Sequence, residues 1–211
     1  PLTNPAGADA YVLGVFSPEW LAPMAEALER LGARGLVVHG EGADELVLGE
    51  NRVVEVGKGA YALTPEEVGL KRAPLEALKG GGPEENAALA RRLLKGEEKG
   101  PLADAVALAA GAGFYAAGKT PSLKEGVALA REVLASGEAY LLLERYVAFL
   151  RAERSRRTVS PSRRAGKTFT GLGAGRVCRP VLRSNRAPWR GQTMAPSSTS
   201  PSWRGPSSWV Q

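Results

Sequence analysis

Apolar residues recur along this chain in two rhythms, short unbroken runs and three- or four-residue spacings, and the two alternate near its start. Tyr11-Val12-Leu13-Gly14-Val15-Phe16 is an unbroken run, and Ser17-Pro18-Glu19 behind it supplies an N-cap, a first-turn proline and an early acid. Leu21, Met24, Ala25, Leu28 and Leu31 then recur as the buried face of one helix would, and Gly32 ends it. Residues 34–39 (RGLVVH) are apolar again, too few for a helix and flanked by glycines, which predicts a buried parallel strand. The unit is a strand-helix-strand crossover, the building block of an open α/β sheet that is mostly parallel and flanked by helices.

From residue 45 to 63 the apolar groups Glu-Leu-Val-Leu, Arg-Val-Val-Glu-Val and Tyr-Ala-Leu are broken by Gly49-Glu50-Asn51 and Gly57-Lys58-Gly59, which predicts short antiparallel strands with turns between them. Thr64-Pro65-Glu66-Glu67 is a helix start. Helices are expected near 84–96, 101–118, 121–136 and 138–151, divided by glycine and proline. The 101–118 segment is mostly Ala, Val, Leu and Gly, so it is expected to be central and packed on all sides.

Beyond about residue 152 both rhythms stop, and Arg, Ser, Pro, Gly and Trp take over with too few large aliphatic residues for a core. The chain thus divides into a body, 1–151, and a tail, 152–211, that reads as disordered. Charge divides it at the same place: residues 1–150 hold 15 Lys+Arg and 21 Asp+Glu, the remainder 13 and 1. The net charge of +6 is therefore an acidic body joined to a strongly basic tail, and it is no nucleic-acid footprint of the folded part. Isoleucine is absent and Arg outnumbers Lys by 20 to 8, as a GC-rich gene would give. An out-of-frame or fused tail fits this composition, and a natural disordered extension is the other reading. One cysteine, Cys178, excludes an intrachain disulfide and points to the cytoplasm. No apolar stretch reaches the roughly 20 residues of a membrane span, and the opening residues lack the pattern of a signal peptide.

Chemistry concentrates in Val37-Val38-His39-Gly40-Glu41-Gly42-Ala43-Asp44-Glu45, where a strand end, a glycine-bearing turn and two adjacent carboxylates follow one another. Ligands of open α/β sheets bind beyond the carboxyl ends of the strands. A hard cation such as Mg²⁺ takes oxygen ligands, typically one or two protein carboxylates plus substrate phosphates. Asp44 and Glu45 are candidate metal ligands on that ground, and an ordinary solvated turn is the alternative.

Several segments together resemble the anthranilate phosphoribosyltransferases. Pro1-Leu2-Thr3-Asn4-Pro5-Ala6 is similar to the family's G-P-L-x-N-P-A segment without its glycine, and residues 37–45 are similar to its V-H-G…D-E loop, one residue shorter than in many members. Residues 61–70 (YALTPEEVGL) resemble Y-x-L-x-P-E-D-F-G-L, and Gly80-Gly81 with Glu85-Asn86-Ala87 resembles G-G…E-N-A. Ala117-Gly118-Lys119 and residues 125–130 continue the agreement, which covers residues 1–150. The resemblance implies transfer of a phosphoribosyl group from phosphoribosyl pyrophosphate to the amine of anthranilate, in tryptophan biosynthesis, by a homodimer. It implies that Asp44 and Glu45 hold Mg²⁺ carried by the donor, and that Pro1 lies beside the anthranilate pocket. Asn4 and Pro5 are turn-shaping residues on this reading, His39 packs or hydrogen-bonds, and Lys119 and Lys124 are solvated charges. Ala109 departs from the asparagine frequent at its position. No nucleophile or general base is needed from this stretch. The family's helical domain, glycine-rich pyrophosphate loop and anthranilate-holding arginine have no counterpart here, so the chain alone is expected to be inactive. The rival enzyme reading is a pyrimidine nucleoside phosphorylase, which the Asp-Glu pair disfavours. A rival of another class is nucleic-acid binding by the Arg-rich tail with Trp189, Trp203 and Trp209, which lack a recognisable module.

Overall fold

A computed structural model describes Leu2 and residues 7–158 of the chain. Residues 1–156 form one unit and 157–211 a second; the elements below belong to the first, apart from the last turn of the last helix. The expectations for the tail beyond Thr158, and those for Pro1, Asn4 and Pro5, lie outside the described residues, whereas residues 152–158, read as disordered, continue the last helix, since no glycine or proline stands among them to end it.

The crossover read from the first rhythm is present. Strand β1 (Ala10–Gly14) leads through a 3-10 turn (Pro18–Trp20) into helix α1 (Leu21–Arg30), and β2 (Arg34–Gly40) returns parallel to β1 with Ala10 opposite Arg34 and Gly14 opposite Val38. Leu21, Ala25 and Leu28 are buried, but Leu31 is exposed, because the helix has already closed at Gly32 in a left-handed turn. β2 carries four successive buried residues, Gly35, Leu36, Val37 and Val38. That is the mark of a strand covered on both faces. Leu36 and Val38 join the main core with Leu108 and Val127, and α1 packs against β2.

β3 (Asn51–Glu55) pairs antiparallel with β2, and β4 (Gly59–Leu63) antiparallel with β3. The order is β1-β2-β3-β4. The expected open sheet flanked by helices is borne out, but with one parallel and two antiparallel pairings its described part is mixed and not mostly parallel, because the connections after β2 carry no crossover helix. Leu46-Val47-Leu48, expected as a strand, is instead buried loop. Its apolar side chains serve the core while its backbone bonds elsewhere.

The helix expected from Thr64 is a single 3-10 turn (Pro65–Val68). Its start signal operates, since Glu67 Oε2 accepts from Thr64 N at 2.7 Å and Thr64 Oγ1 at 3.1 Å. Gly69 then turns left-handed at φ +77° and ends it. Among the described residues four α-helices follow, α2 (Pro83–Leu94), α3 (Pro101–Ala116), α4 (Leu123–Ser136) and α5 (Glu138–Thr158), the last running past Arg151. α3 and α4 pack tightly because Gly111 and Gly126 face each other; a Cβ on Gly126 would sit 2.4 Å from Gly111 O. α3 is not packed on all sides. Ala107, Leu108 and Ala112 are buried, yet Ala109 and Ala110 are exposed, because the sheet and α4 cover only part of its circumference.

Candidate functional site

The loop of residues 41–50 leaves β2 at its carboxyl end and enters β3, so it stands at the edge where ligands of α/β sheets bind. Its first turn is tight: Gly40 N donates to Ala43 O at 3.2 Å, Ala43 N to Gly40 O at 3.1 Å, and Gly42 takes φ +76°. The backbone of Asp44 and Glu45 then lies directly on two glycines. A Cβ on Gly14, the last residue of β1, would fall 1.7 Å from Asp44 O, and one on Gly40 2.4 Å from Glu45 O. Any side chain at either position would push the acidic pair off the strand ends.

The far half of the loop is held from beneath by Asn51, whose side chain is buried. Its Oδ1 accepts from Val47 N at 2.8 Å, and its Nδ2 donates to Val47 O, Gly49 O and Leu63 O at 3.0, 3.1 and 3.2 Å. An amide offers both a donor pair and an acceptor, and no apolar residue could satisfy these backbone groups. Leu46, Val47 and Leu48 bury their side chains around it. The result is irregular backbone with fixed position.

Asp44 and Glu45 are both exposed, and among the described residues neither carboxylate enters an ion pair or side-chain hydrogen bond. Their lone pairs are uncommitted, which suits a cation that takes oxygen ligands. No group of three or more His, Cys, Asp or Glu that could hold a metal occurs among the described residues. Two carboxylates would leave most of a cation's coordination to water and to phosphate oxygens. That fits a metal delivered with a phosphorylated substrate better than a resident structural ion.

His39 takes the expected structural part: its Nδ1 donates to Val15 O at 2.8 Å, tying β2 to the segment after β1. Lys119 and Lys124 are exposed, as expected of solvated charges. The Gly-Gly…Glu-Asn-Ala segment builds the start of α2. Gly81 N donates to Asn86 Oδ1 at 2.8 Å, Asn86 Nδ2 to Gly81 O at 2.9 Å, and Gly82 N to Glu85 Oε2 at 2.9 Å. A recess of about 580 Å³ beside the loop is lined by Glu41, Val47, Gly49, Arg72, Ala73, Pro74 and Leu75, and does not include the acidic pair.

Sequence reasoning missed Gly14, Gly40 and Asn51 as supports of the site. Gly14 carried a usable signal, since glycine inside an apolar strand run marks a close backbone approach. Asn51 carried none, because beside Gly49-Glu50 it reads as a turn residue.

At the opposite end of β3 a second polar cluster ties the hairpin to α3. Tyr115 OH donates to Glu55 Oε1 at 2.8 Å, and Lys58 Nζ reaches Tyr115 OH at 3.1 Å and Glu55 Oε1 at 2.8 Å. The bond to Glu55 holds the Lys58 ammonium above its ordinary range. Burial first, and then the Glu55 charge, push the Tyr61 phenol up to about 12.

A strand-helix-strand unit and a mixed open sheet with an acidic loop at its carboxyl edge define an open α/β domain. The family model described as "Glycosyl transferase family, a/b domain" matches residues 1–140, and the chain belongs to that family. Within it the chain is similar to anthranilate phosphoribosyltransferases. The enzyme of that name from Rubrobacter xylanophilus is 52% identical over 153 residues, 70% of this chain and 45% of the relative. The anthranilate phosphoribosyltransferase of Saccharomyces cerevisiae aligns with a TM-score of 0.62 at 27% identity, covering 68% of this chain and 44% of its own. Its complex with PRPP and Mg aligns with a TM-score of 0.58 at 28% identity, over 63% of this chain and 40% of the yeast chain. The chain therefore spans about half the length of the curated relatives it matches. Among the described residues no helix is long and apolar enough to cross a membrane.

Proposed function

We propose that this chain is the portion of an anthranilate phosphoribosyltransferase that carries Asp44 and Glu45 for the Mg²⁺ accompanying phosphoribosyl pyrophosphate. The observation that carries the reading is a pair of exposed, uncommitted carboxylates on backbone pinned by Gly14, Gly40 and Asn51 at the carboxyl edge of the sheet. Relatives at about half identity bear that name, and a structural neighbour is in complex with PRPP and Mg.

The reaction replaces the bond between the anomeric carbon and pyrophosphate by one to the anthranilate nitrogen, which loses a proton. A bound Mg²⁺ neutralises charge on the departing pyrophosphate. Asp44 and Glu45 supply two negative charges to hold and orient it, and the pinned backbone keeps them in place without reorganisation. Pro1 keeps the role its motif implies, a contact to anthranilate, on the sequence alone. No side chain of this chain is assigned proton transfer or nucleophilic attack. The chain's single cysteine and small ionic substrates suit the cytoplasm.

The test uses an enzyme completed with the remaining portion of the R. xylanophilus relative, alongside the chain by itself. The completed enzyme should turn over and the chain alone should not. Asp44→Asn with Glu45→Gln keeps shape and removes charge, and should lower kcat/KM by about 10²-fold or more. Raised Mg²⁺ should restore part of the loss. Near-normal activity with unchanged Mg²⁺ dependence would return the pair to a solvated turn.

A further inference from the structure

The recess beside residues 41–50 takes no part in the proposed reaction. Its volume, about 580 Å³, lies within the roughly 300–1,000 Å³ usual for small-molecule sites. One wall is the loop and the other is the segment from Arg72 to Leu75. Backbone bonds fix the two against each other: Ala73 N donates to Leu48 O at 2.9 Å, and Glu41 N closes the base of the loop on Glu50 O at 3.0 Å. Asn51 holds Val47 and Gly49 from the protein side. Leu75 reaches the turn, its Cδ2 3.5 Å from where a Cβ on Gly42 would stand. The walls are therefore in place before anything enters.

Val47, Ala73, Pro74 and Leu75 make the lining largely apolar, and Glu41 and Arg72 are its two charged residues. The two charges are not equivalent. Arg72 already stands between carboxylates, with Nε 3.3 Å from Glu66 Oε1 and Nη1 4.0 Å from Glu50 Oε1. The Glu41 carboxylate, among the described residues, enters no ion pair and no side-chain hydrogen bond. Three carboxylates, Glu41, Glu50 and Glu66, against one guanidinium leave this group of side chains net negative, and Glu41 is the one without a counter-charge. Gly49 keeps the space in front of it open, since a Cβ there would lie 3.8 Å from Glu41 Oε2 and 3.6 Å from Val47 Cγ2. An apolar wall that meets an uncommitted carboxylate across a bare glycine selects a molecule with a cationic head and an apolar body. Both substrates of the proposed reaction are anions, so neither matches it. We infer that the recess binds a small organic amine, with its ammonium on Glu41 and its aliphatic or aromatic body against Val47, Pro74 and Leu75. The inference stands apart from the metal assigned to Asp44 and Glu45, because neither residue lines the recess.

The full chain, isotope-labelled, is titrated with phenethylamine and in parallel with 3-phenylpropionate, which carries the same apolar body and the opposite charge. Shifts are read residue by residue, because the tryptophans of the tail can attract any aromatic cation. Amides of Glu41, Gly49, Ala73 and Leu75 should move and saturate with the amine at a Kd of about 1 mM or below. The carboxylate should bind there at least about tenfold more weakly. Glu41→Gln keeps the size and removes the charge, and should weaken the amine by about tenfold or more. Gly49→Leu directs a side chain into the recess from a position with room for a Cβ, and should abolish saturation. Circular dichroism should be unchanged in Glu41→Gln, whose side chain is exposed, and that variant decides should Gly49→Leu not fold. Equal affinity for the two probes, shifts confined to other residues, binding indifferent to Glu41→Gln, or no saturating shift by about 10 mM would each overturn the inference. No readout uses turnover or Mg²⁺, so failure here and failure of the metal assignment are seen separately.

Discussion

Residues 41–50 and helix α5 are held in opposite ways. The loop has almost no regular structure, yet its backbone sits on Gly14 and Gly40, its carbonyls and amides are met by Asn51, and Leu46, Val47 and Leu48 anchor it. α5 is 21 residues of regular helix, and five of its large apolar side chains, Leu141, Leu142, Tyr146, Phe149 and Leu150, are exposed. A helix satisfies its backbone within itself and can stand without neighbours, whereas a buried loop must find every partner elsewhere. Regularity and fixation are therefore separate properties. In this chain the fixed irregular element carries the two candidate metal ligands, and the regular one carries an exposed apolar surface.

The largest effect that could break this contrast lies at Asn51. Asn51→Ala removes one acceptor and two donated hydrogens, leaving Val47 N–H and the carbonyls of Val47, Gly49 and Leu63 short of partners in a buried place. Each orphaned group costs about 1–3 kcal/mol, and partial relaxation toward water reduces the sum, so a loss of about 4 kcal/mol is expected in urea unfolding. A loss below about 1 kcal/mol would mean that the loop is held by its apolar residues alone.

A middle-sized effect should appear on β4, where Tyr61 pairs with Val53 in the middle of β3. Tyr61 is raised from an ordinary value of 10 to about 12, by burial first. The unfolded chain loses this proton first, so the contribution is complete below pH 10 and is lost as pH rises toward 12. Lys58, held above its ordinary range by Glu55, acts in the same direction. Stability followed by chemical unfolding should fall across that window, and Tyr61→Phe should make the fall shallower. An identical slope in the variant would show that other groups govern the alkaline limb.

How much of this was legible in the sequence follows from the range of each interaction. β1, α1 and β2 were legible because apolar runs and three- to four-residue spacings are local signals of burial. Helix boundaries from residue 83 onward were legible through their glycines and prolines, apart from the end of α5, expected at 151 and found at Thr158, and Ser122 does cap α4, accepting from Glu125 N at 3.2 Å. The Thr64 start signal was real, but Gly69 five residues later cut the element to one turn. Asp44 and Glu45 were visible as chemistry, and the reason they hold still was not. Gly14 lies thirty positions from Asp44, and only the parallel pairing of β1 with β2 brings its bare Cα beneath that carbonyl. The exposed side of α3 was misjudged for a related reason: small residues permit packing on every face, but a partner on each face is a property of the assembled fold.

The smallest expected effect is the sharpest test of the exposed apolar surface. Leu108 on α3 is fully buried, while Phe149 on α5 is 60% exposed. Truncating each to alanine removes a large apolar side chain, and on hydrophobicity alone the phenylalanine should matter more. Burial reverses that order: Leu108→Ala loses transfer free energy and leaves a cavity, costing about 3 kcal/mol, whereas Phe149→Ala should stay within about 0.5 kcal/mol. Unfolding of the two variants of this chain, measured side by side in urea, gives the comparison directly. In an enzyme completed with the remaining portion of a relative, the same Phe149→Ala change should rise toward the cost of a core truncation, about 3 kcal/mol. A Phe149→Ala cost that stays small in the completed enzyme would show that the face remains in water there, and one already large in the chain alone would show that α5 is packed where the structure leaves it exposed.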